Sequence, residues 1–153
     1  MALGIEERSS LVWIGLLRVV NGGLFLLAAV AKIRTHFRGP TLKSELDAWG
    51  DAGKTFEFAQ ELLTTYVRPH LSEFALAVTA GEVVAGSSLV LGFASRPGAL
   101  IGLLLNVAYF LASRESINIL MAVVNLAVLV SGGGRAIGLD GAMRARNPKW
   151  LLG

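Results

Sequence analysis

Two ionisable side chains, Arg18 and Glu82, interrupt long apolar segments of the sequence and are the first candidates for chemistry. Arg18 lies in the segment 11–33, and Glu82 lies near the middle of the segment 71–94. A charged group in the centre of a bilayer is costly, so it marks a functional site or a buried polar pair. Asn106 and Asn125 add an amide to each of the two later apolar segments.

The depths of these four residues predict that they lie close together. At about 1.5 Å of rise per residue, they fall in one half of the bilayer, within ~8 Å of one another in depth. We therefore expect Arg18 to pair with Glu82, because either charge alone would be expensive. The group would either fasten the helices together or line a pocket that offers a donor and an acceptor to the two carbonyls of a quinone head group. Tyr109, one turn from Asn106, could join the pocket, and a proton relay through Glu82 is a third possibility.

The composition predicts a small integral membrane protein with one domain over residues 1–153. Of the 153 residues, 54 % are hydrophobic and 16 % are charged, and the mean hydropathy is +0.61. Charged residues make up about 25 % of soluble domains, well above this share. Apolar segments indicate four spans at about 11–33, 71–94, 97–112 and 116–131. The predicted fold is all-α: an integral membrane four-helix up-down bundle.

A polar segment, residues 41–68, separates the first two spans and predicts a short amphipathic helical insertion. Leu42, Leu46 and Trp49 recur at helical spacing, with Thr41 as the expected N-cap. A second short helix follows and ends before the second span, at residues 68–70. We expect these helices to cover the ends of the protein's own spans rather than to sense lipid. A basic tail, residues 135–153, ends the chain.

Several classes of site are excluded or disfavoured by residue type. The chain has no cysteine, which rules out disulfides, iron–sulfur clusters and thiolate metal sites. His36 and His70 lie outside the predicted spans, so we expect neither haem nor a metal. The glycines at 132–134 precede no phosphate-cradling helix. The net charge of +3 comes from basic residues beside apolar spans, so no nucleic-acid partner is expected.

Several stretches of the sequence resemble the DoxX family, small membrane proteins related to the DoxD subunit of thiosulfate:quinone oxidoreductase. They are Leu17-Arg18 with Asn21-Gly22-Gly23 and Ala31-Lys32-Ile33, Gly81-Glu82 with Gly86, Leu91-Gly92 and Arg96, and Ser131-Gly132-Gly133-Gly134-Arg135 with Leu139-Asp140. The resemblance covers most of the chain outside residues 41–67. It implies a four-helix membrane bundle associated with quinone-linked electron transfer or with membrane redox assemblies, and Arg18, Glu82 and Arg96 as matching polar positions.

The expected function is that of a small subunit of a quinone-linked membrane redox system, at most one subunit of an oxidoreductase. Arg18, Glu82, Asn106 and Asn125 are its candidate quinone or lipid pocket. One alternative is a non-catalytic accessory subunit that stabilises a larger respiratory or photosynthetic complex, and another is a small-solute or proton carrier. Expected partners are the lipid bilayer and other membrane subunits or further copies of the chain. Basic residues are nearly balanced between the two sides, and we favour a multi-pass protein of the cell membrane with cytoplasmic termini.

Overall fold

The computed structural model describes residues 3–131 and 138–146, and every regular element in these ranges is helical. The expected all-helical class is confirmed. The predicted glycine-rich helix end, residues 132–135, and Lys149 of the predicted basic tail lie outside the described residues.

Four long helices pack around a shared interior. They are α1 (Leu3–Arg34), α4 (Leu71–Leu91), α5 (Ser95–Ser113) and α6 (Ser116–Ser131). Helix α1 packs on α4 and α6, and α5 packs on the same two helices. Helices α1, α4 and α5 are long and apolar enough to cross a membrane, whereas α6 is a shorter apolar helix. Large apolar side chains such as Leu27, Leu76 and Val130 point outward, which suits a hydrocarbon environment. Four membrane spans remain a prediction.

Helices α1 and α4 approach most closely where glycine replaces a side chain on each. A Cβ atom on Gly22 would lie 2.8 Å from the Cβ of Leu89, and one on Gly86 would lie 2.9 Å from the carbonyl oxygen of Gly22. Small residues allow such contacts between membrane helices. This register sets Arg18 beside Gly92. A side chain at Gly92 would clash with the Arg18 guanidinium, and the φ of +62° at this position also favours glycine.

The insertion begins with α2 (Gly39–Asp51), which covers α4 and α5 of the same chain. Leu42 and Leu46 are buried on α2 and pack with Ala75 and Ala112. The predicted N-cap, Thr41, lies inside the helix, and Arg38 occupies the N-cap position. Pro40 explains the earlier start, because its fixed φ and missing N–H suit the first helical turn.

The second part of the insertion is continuous with the second apolar helix. Helix α3 (Glu57–Leu62) runs through a π-helical turn (Leu63–Val67) and a 3₁₀ turn (Arg68–His70) into α4. The candidate span therefore covers Glu57–Leu91, and the predicted break at residues 68–70 is wrong. Pro69 cannot donate a backbone hydrogen bond, and its ring clashes with a regular helix. The chain accommodates Pro69 by changing the helix pitch rather than by ending the helix.

Candidate functional site

The buried Glu82 is the centre of a group of three side chains, Lys32, Glu82 and Tyr109, here called the Glu82 cluster. Glu82 is 1 % exposed, and the Lys32 Nζ lies 2.7 Å from its Oε1 atom. The Tyr109 hydroxyl donates to the same oxygen at 2.6 Å. The second carboxylate oxygen, Oε2, has no hydrogen-bond partner among the described residues. One oxygen atom of Glu82 is therefore available to a further donor.

The Lys32 ammonium connects the Glu82 cluster with the surface of the protein. It lies 5.3 Å from the ring centroid of Tyr109 and 5.4 Å from that of Phe37, distances at which aromatic faces attract cations. Its side chain is 17 % exposed. Glu45 of α2 belongs to the same electrostatic neighbourhood: burial raises the pKa of its carboxyl group, Lys32 opposes that rise, and Glu82 adds to it.

Arg18 belongs to a second buried group, at the opposite end of α4. Its Nη1 donates to the hydroxyl of Ser95 at 3.0 Å, and it packs against Gly92. Ten residues separate Gly92 from Glu82, which is about 15 Å of helix rise. The predicted Arg18–Glu82 pair is therefore wrong. The register of α1 against α4, in which Gly22 contacts Leu89, places Arg18 level with the end of α4 rather than with Glu82.

Asp140 completes the group around Arg18 and comes from α7 (Leu139–Arg146). Its carboxylate is fully buried and accepts hydrogen bonds from the backbone N–H groups of Ala94 and Ser95, both at 2.9 Å. It also interacts electrostatically with the Arg18 guanidinium. A negative group at a helix N-terminus is favourable, so Asp140 fastens α7 to the start of α5. In the sequence, the signal for Asp140 is the Leu139-Asp140 pair of the DoxX-like ending, which by itself indicates no role for the carboxylate.

The asparagines of the predicted site occupy the middle of the interior. Asn125 is fully buried and accepts a hydrogen bond from the side chain of Asn21 at 2.9 Å. Asn106 is 1 % exposed and follows Leu105, which packs against Gly81. Asn106 therefore lies near the level of Glu82. All four predicted site residues are buried, but Arg18 and Glu82 lie far apart, and Asn125 is hydrogen-bonded to Asn21, one turn of α1 from Arg18.

Two neighbouring apolar spaces, here called the inner cavity and the outer groove, lie on the Tyr109 side of the Glu82 cluster. The inner cavity, of about 130 Å³, lies beneath α2, and its lining includes Trp49, Phe74 and Tyr109. The outer groove, of about 240 Å³, lies against the π-helical turn, and Tyr66 lines it. Five residues line both spaces, namely Leu63, Val67, Phe74, Ala108 and Ala112. The two spaces are therefore adjacent.

A third cavity, here called the basic cavity, lies on the Lys32 side of the Glu82 cluster. It has a volume of about 520 Å³ and lies between the end of α1, the start of α2 and the start of α4. Its lining residues are Lys32, Ile33, His36, Phe37, Arg38, Ser72, Leu76 and Thr79. The Glu82 cluster thus separates an apolar space from a basic one.

A known protein family matches the part of the chain that contains the Glu82 cluster and Arg18. The family model described as DoxX matches residues 14–114, a range that includes Arg18, Lys32, Glu82 and Tyr109. No curated protein and no solved structure matches the chain. Because the match covers well over half of its length, the chain belongs to the DoxX family.

Proposed function

We propose that this protein is a membrane subunit of a quinone-linked redox system and that a quinone ring binds in the inner cavity. One observation carries the proposal: an apolar, aromatic-walled cavity ends at Tyr109, whose hydroxyl contacts a buried carboxylate. Membership of the DoxX family and the three long apolar helices support a place in the lipid bilayer.

The lining of the inner cavity fits the shape and polarity of a quinone ring. Such a ring is flat and largely apolar, with a carbonyl acceptor on each of two edges. Trp49, Phe74 and Tyr109 offer aromatic surfaces on which a flat ring can pack. The Tyr109 hydroxyl, whose hydrogen is donated to Glu82 in this structure, would have to turn toward the ring to donate to a carbonyl. Ligand sites commonly combine apolar walls with a few placed polar groups.

The Glu82 cluster supplies groups that can hold and move a proton. Reduction of a quinone to the quinol takes up two electrons, which a partner protein of the system would provide, and two protons. The Glu82 carboxylate has an acceptor oxygen without a partner among the described residues, and its other oxygen receives the Tyr109 hydroxyl. If Tyr109 turns its hydroxyl hydrogen toward the ring, it can give that proton to a quinone carbonyl and take one from Glu82 in return. Lys32, which is partly exposed, joins Glu82 to the surface.

The outer groove provides a place for the hydrocarbon tail of the quinone. Leu62, Tyr66 and Leu111 are among its lining residues, and Leu62 and Tyr66 are exposed on the outer surface. An isoprenoid tail in this groove would contact lipid along one side while the ring lies inside. Ala108, which lines both spaces, marks the place where they meet.

The test is the amount of quinone that co-purifies with the full-length protein, measured by solvent extraction and mass spectrometry. Ala108→Phe adds a ring where the two spaces meet and leaves the three side chains of the Glu82 cluster unchanged in type, and we expect it to abolish most quinone binding. Tyr109→Phe removes one hydrogen-bond donor, worth about 1 kcal/mol, and should lower quinone affinity several-fold. Tyr66→Phe is the matched control, because it removes an exposed hydroxyl and keeps the groove wall.

Unchanged quinone content in the Ala108→Phe protein would contradict the proposed site. Wild-type protein that carries no quinone, but occupies a fixed stoichiometric place in a larger membrane complex, would support the accessory-subunit alternative instead.

A further inference from the structure

We propose that the basic cavity binds a phosphate-type oxyanion, and that Lys32 is shared between this anion and Glu82. The basic cavity shares no lining residue with the inner cavity proposed for the quinone. Its volume of about 520 Å³ falls within the range of about 300–1,000 Å³ that is usual for small-molecule sites.

The charge of the basic cavity is positive and is not neutralised within its lining. Lys32, His36 and Arg38 line it, and no acidic residue does. Among the described residues, neither His36 nor Arg38 forms a salt bridge, whereas Arg68 on the same insertion pairs with Asp47 at 2.7 Å. Guanidinium groups bind phosphate with paired hydrogen bonds. The cavity therefore offers the Arg38 guanidinium, which forms no salt bridge among the described residues, beside the Lys32 ammonium, whose partner Glu82 lies outside the lining.

The backbone at the end of α1 holds these basic residues around one space. His36 adopts a left-handed conformation, with φ of 52°, which is uncommon for a residue other than glycine. The turn is closed by the Phe37 N–H, which donates to the carbonyl oxygen of Lys32 at 2.8 Å. This turn reverses the chain so that Lys32 from α1 and Arg38 before α2 line the same cavity.

The remaining lining favours an anion that is carried on an amphiphile. Ile33, Phe37 and Leu76 form apolar walls, and Ile33 and Leu76 are also exposed on the outer surface. A phospholipid would place its phosphate among the basic residues and its acyl chains along these walls. Free inorganic phosphate offers the same oxyanion without the chains.

Lys32 connects occupation of the basic cavity with the Glu82 cluster. Its ammonium lies 2.7 Å from Glu82 and also lines the cavity, so an anion there competes with Glu82 for one cation. Removal of the Glu82 charge should therefore tighten anion binding several-fold. The quinone proposal predicts no gain in binding from the same change, which keeps the two proposals separable.

The experiment titrates delipidated, detergent-solubilised full-length protein with three probes in native mass spectrometry. The probes are short-chain phosphatidylglycerol, short-chain phosphatidylcholine and inorganic phosphate. We expect phosphatidylglycerol to bind in preference to phosphatidylcholine, and Arg38→Gln to weaken that binding about tenfold through loss of a charge-assisted contact. Arg34→Gln is the matched control, since Arg34 is an exposed basic residue of α1 outside the lining of the cavity.

Binding of phosphatidylglycerol alone supports the site with a lipid as its ligand, and binding of inorganic phosphate as well supports it with a free oxyanion. Equal binding of the two lipids, or equal losses in the Arg38→Gln and Arg34→Gln proteins, would overturn the proposal. Glu82→Gln, with Glu57→Gln at an exposed position of α3 as a charge-matched control, tests the sharing of Lys32. Anion affinity that does not rise specifically in Glu82→Gln would overturn that part.

Discussion

Glu82 remains in an apolar interior because two donors from different helices meet at one of its oxygens. Lys32 comes from the last turn of α1 and Tyr109 from α5, so the Glu82 cluster joins three helices. Taking a charge out of water costs several kcal/mol, and only well-placed partners offset this cost. Loss of the Lys32 charge alone should therefore destabilise the protein far more than joint loss of the Lys32 and Glu82 charges.

Lys32→Met should lower the free energy of unfolding by about 3–5 kcal/mol, because Glu82 then stays buried without its cation. The double change Lys32→Met and Glu82→Gln should recover most of this loss. Denaturant titration of the detergent-solubilised protein, followed by tryptophan fluorescence, measures both values. Lys43→Met is the control, because the Lys43–Asp47 pair is largely exposed and should change stability by under about 1 kcal/mol. A double variant as unstable as Lys32→Met would show that pairing is not the reason for Lys32.

The positions of buried polar groups were predictable from the sequence, but their partners were not. Arg18, Glu82, Asn106 and Asn125 stand out in apolar segments, and all four are buried. The pairing depended on the register between α1 and α4, which the contact of Gly22 with Leu89 sets. Lys32 was overlooked because it stands at the end of its segment. A lysine there can extend its four-carbon chain back along apolar surface into the interior.

At the scale of the helices, glycine placement decides how closely α1 and α4 pack. Adjacent glycines on α1 differ completely in their surroundings. A Cβ on Gly22 would meet Leu89 and the backbone of Val90 within 3 Å, whereas a Cβ on Gly23 would meet nothing within 4 Å. Alanine substitutions at these two glycines therefore make the same chemical change at neighbouring positions of α1 and differ only in what the new methyl group contacts.

Gly22→Ala should destabilise the protein by about 1–3 kcal/mol, because backbone atoms of α4 cannot yield as a flexible side chain would. Gly23→Ala should be neutral or stabilising by up to about 1 kcal/mol, since alanine favours the helix. Thermal unfolding of the two proteins in the same detergent compares them directly. Equal effects would show that α1 and α4 are not in close contact at Gly22.

Apolar periodicity predicted where the helices lie, but it did not predict that α3 runs without a break into α4. Helix α2 matches the spacing of Leu42, Leu46 and Trp49, and the long apolar segments match α1, α4, α5 and α6. The passage through Pro69 was not predictable from the pattern. A proline usually ends or kinks a helix, and only the packing of the surrounding residues determines whether the chain changes pitch instead.

At the scale of the whole molecule, α7 joins the end of the described chain to the start of α5. Asp140 accepts two backbone hydrogen bonds there, and its own N–H donates to the carbonyl oxygen of Gly92 at 2.7 Å. The Arg18 group thus ties α1, α5 and α7 to the turn after α4. A C-terminal segment that is fastened in this way should resist proteases as long as Asp140 is present.

Asp140→Ala should free α7 and lower stability by about 1–2 kcal/mol, comparable to the loss of a strong helix cap. Limited trypsin digestion followed by intact-mass measurement should show cleavage in α7 at least several-fold faster than in the wild type. Asp51→Ala, at an exposed position of α2, is the control and should leave the digestion pattern unchanged. Equal cleavage rates in the Asp140→Ala and wild-type proteins would mean that Asp140 does not retain α7.

The π-helical turn at Leu63–Val67 has the effect of one additional residue in an otherwise regular helix. Each α-helical residue rotates the chain by about 100°, so this turn sets the angular phase of α3 relative to α4. If the same residues adopted a regular α-helical pitch, α3 would be rotated by about that angle relative to α4. The buried Ala59 would then face away from α5, and the outer groove would lose one wall. The wider pitch of this short stretch therefore keeps the groove aligned with Tyr109.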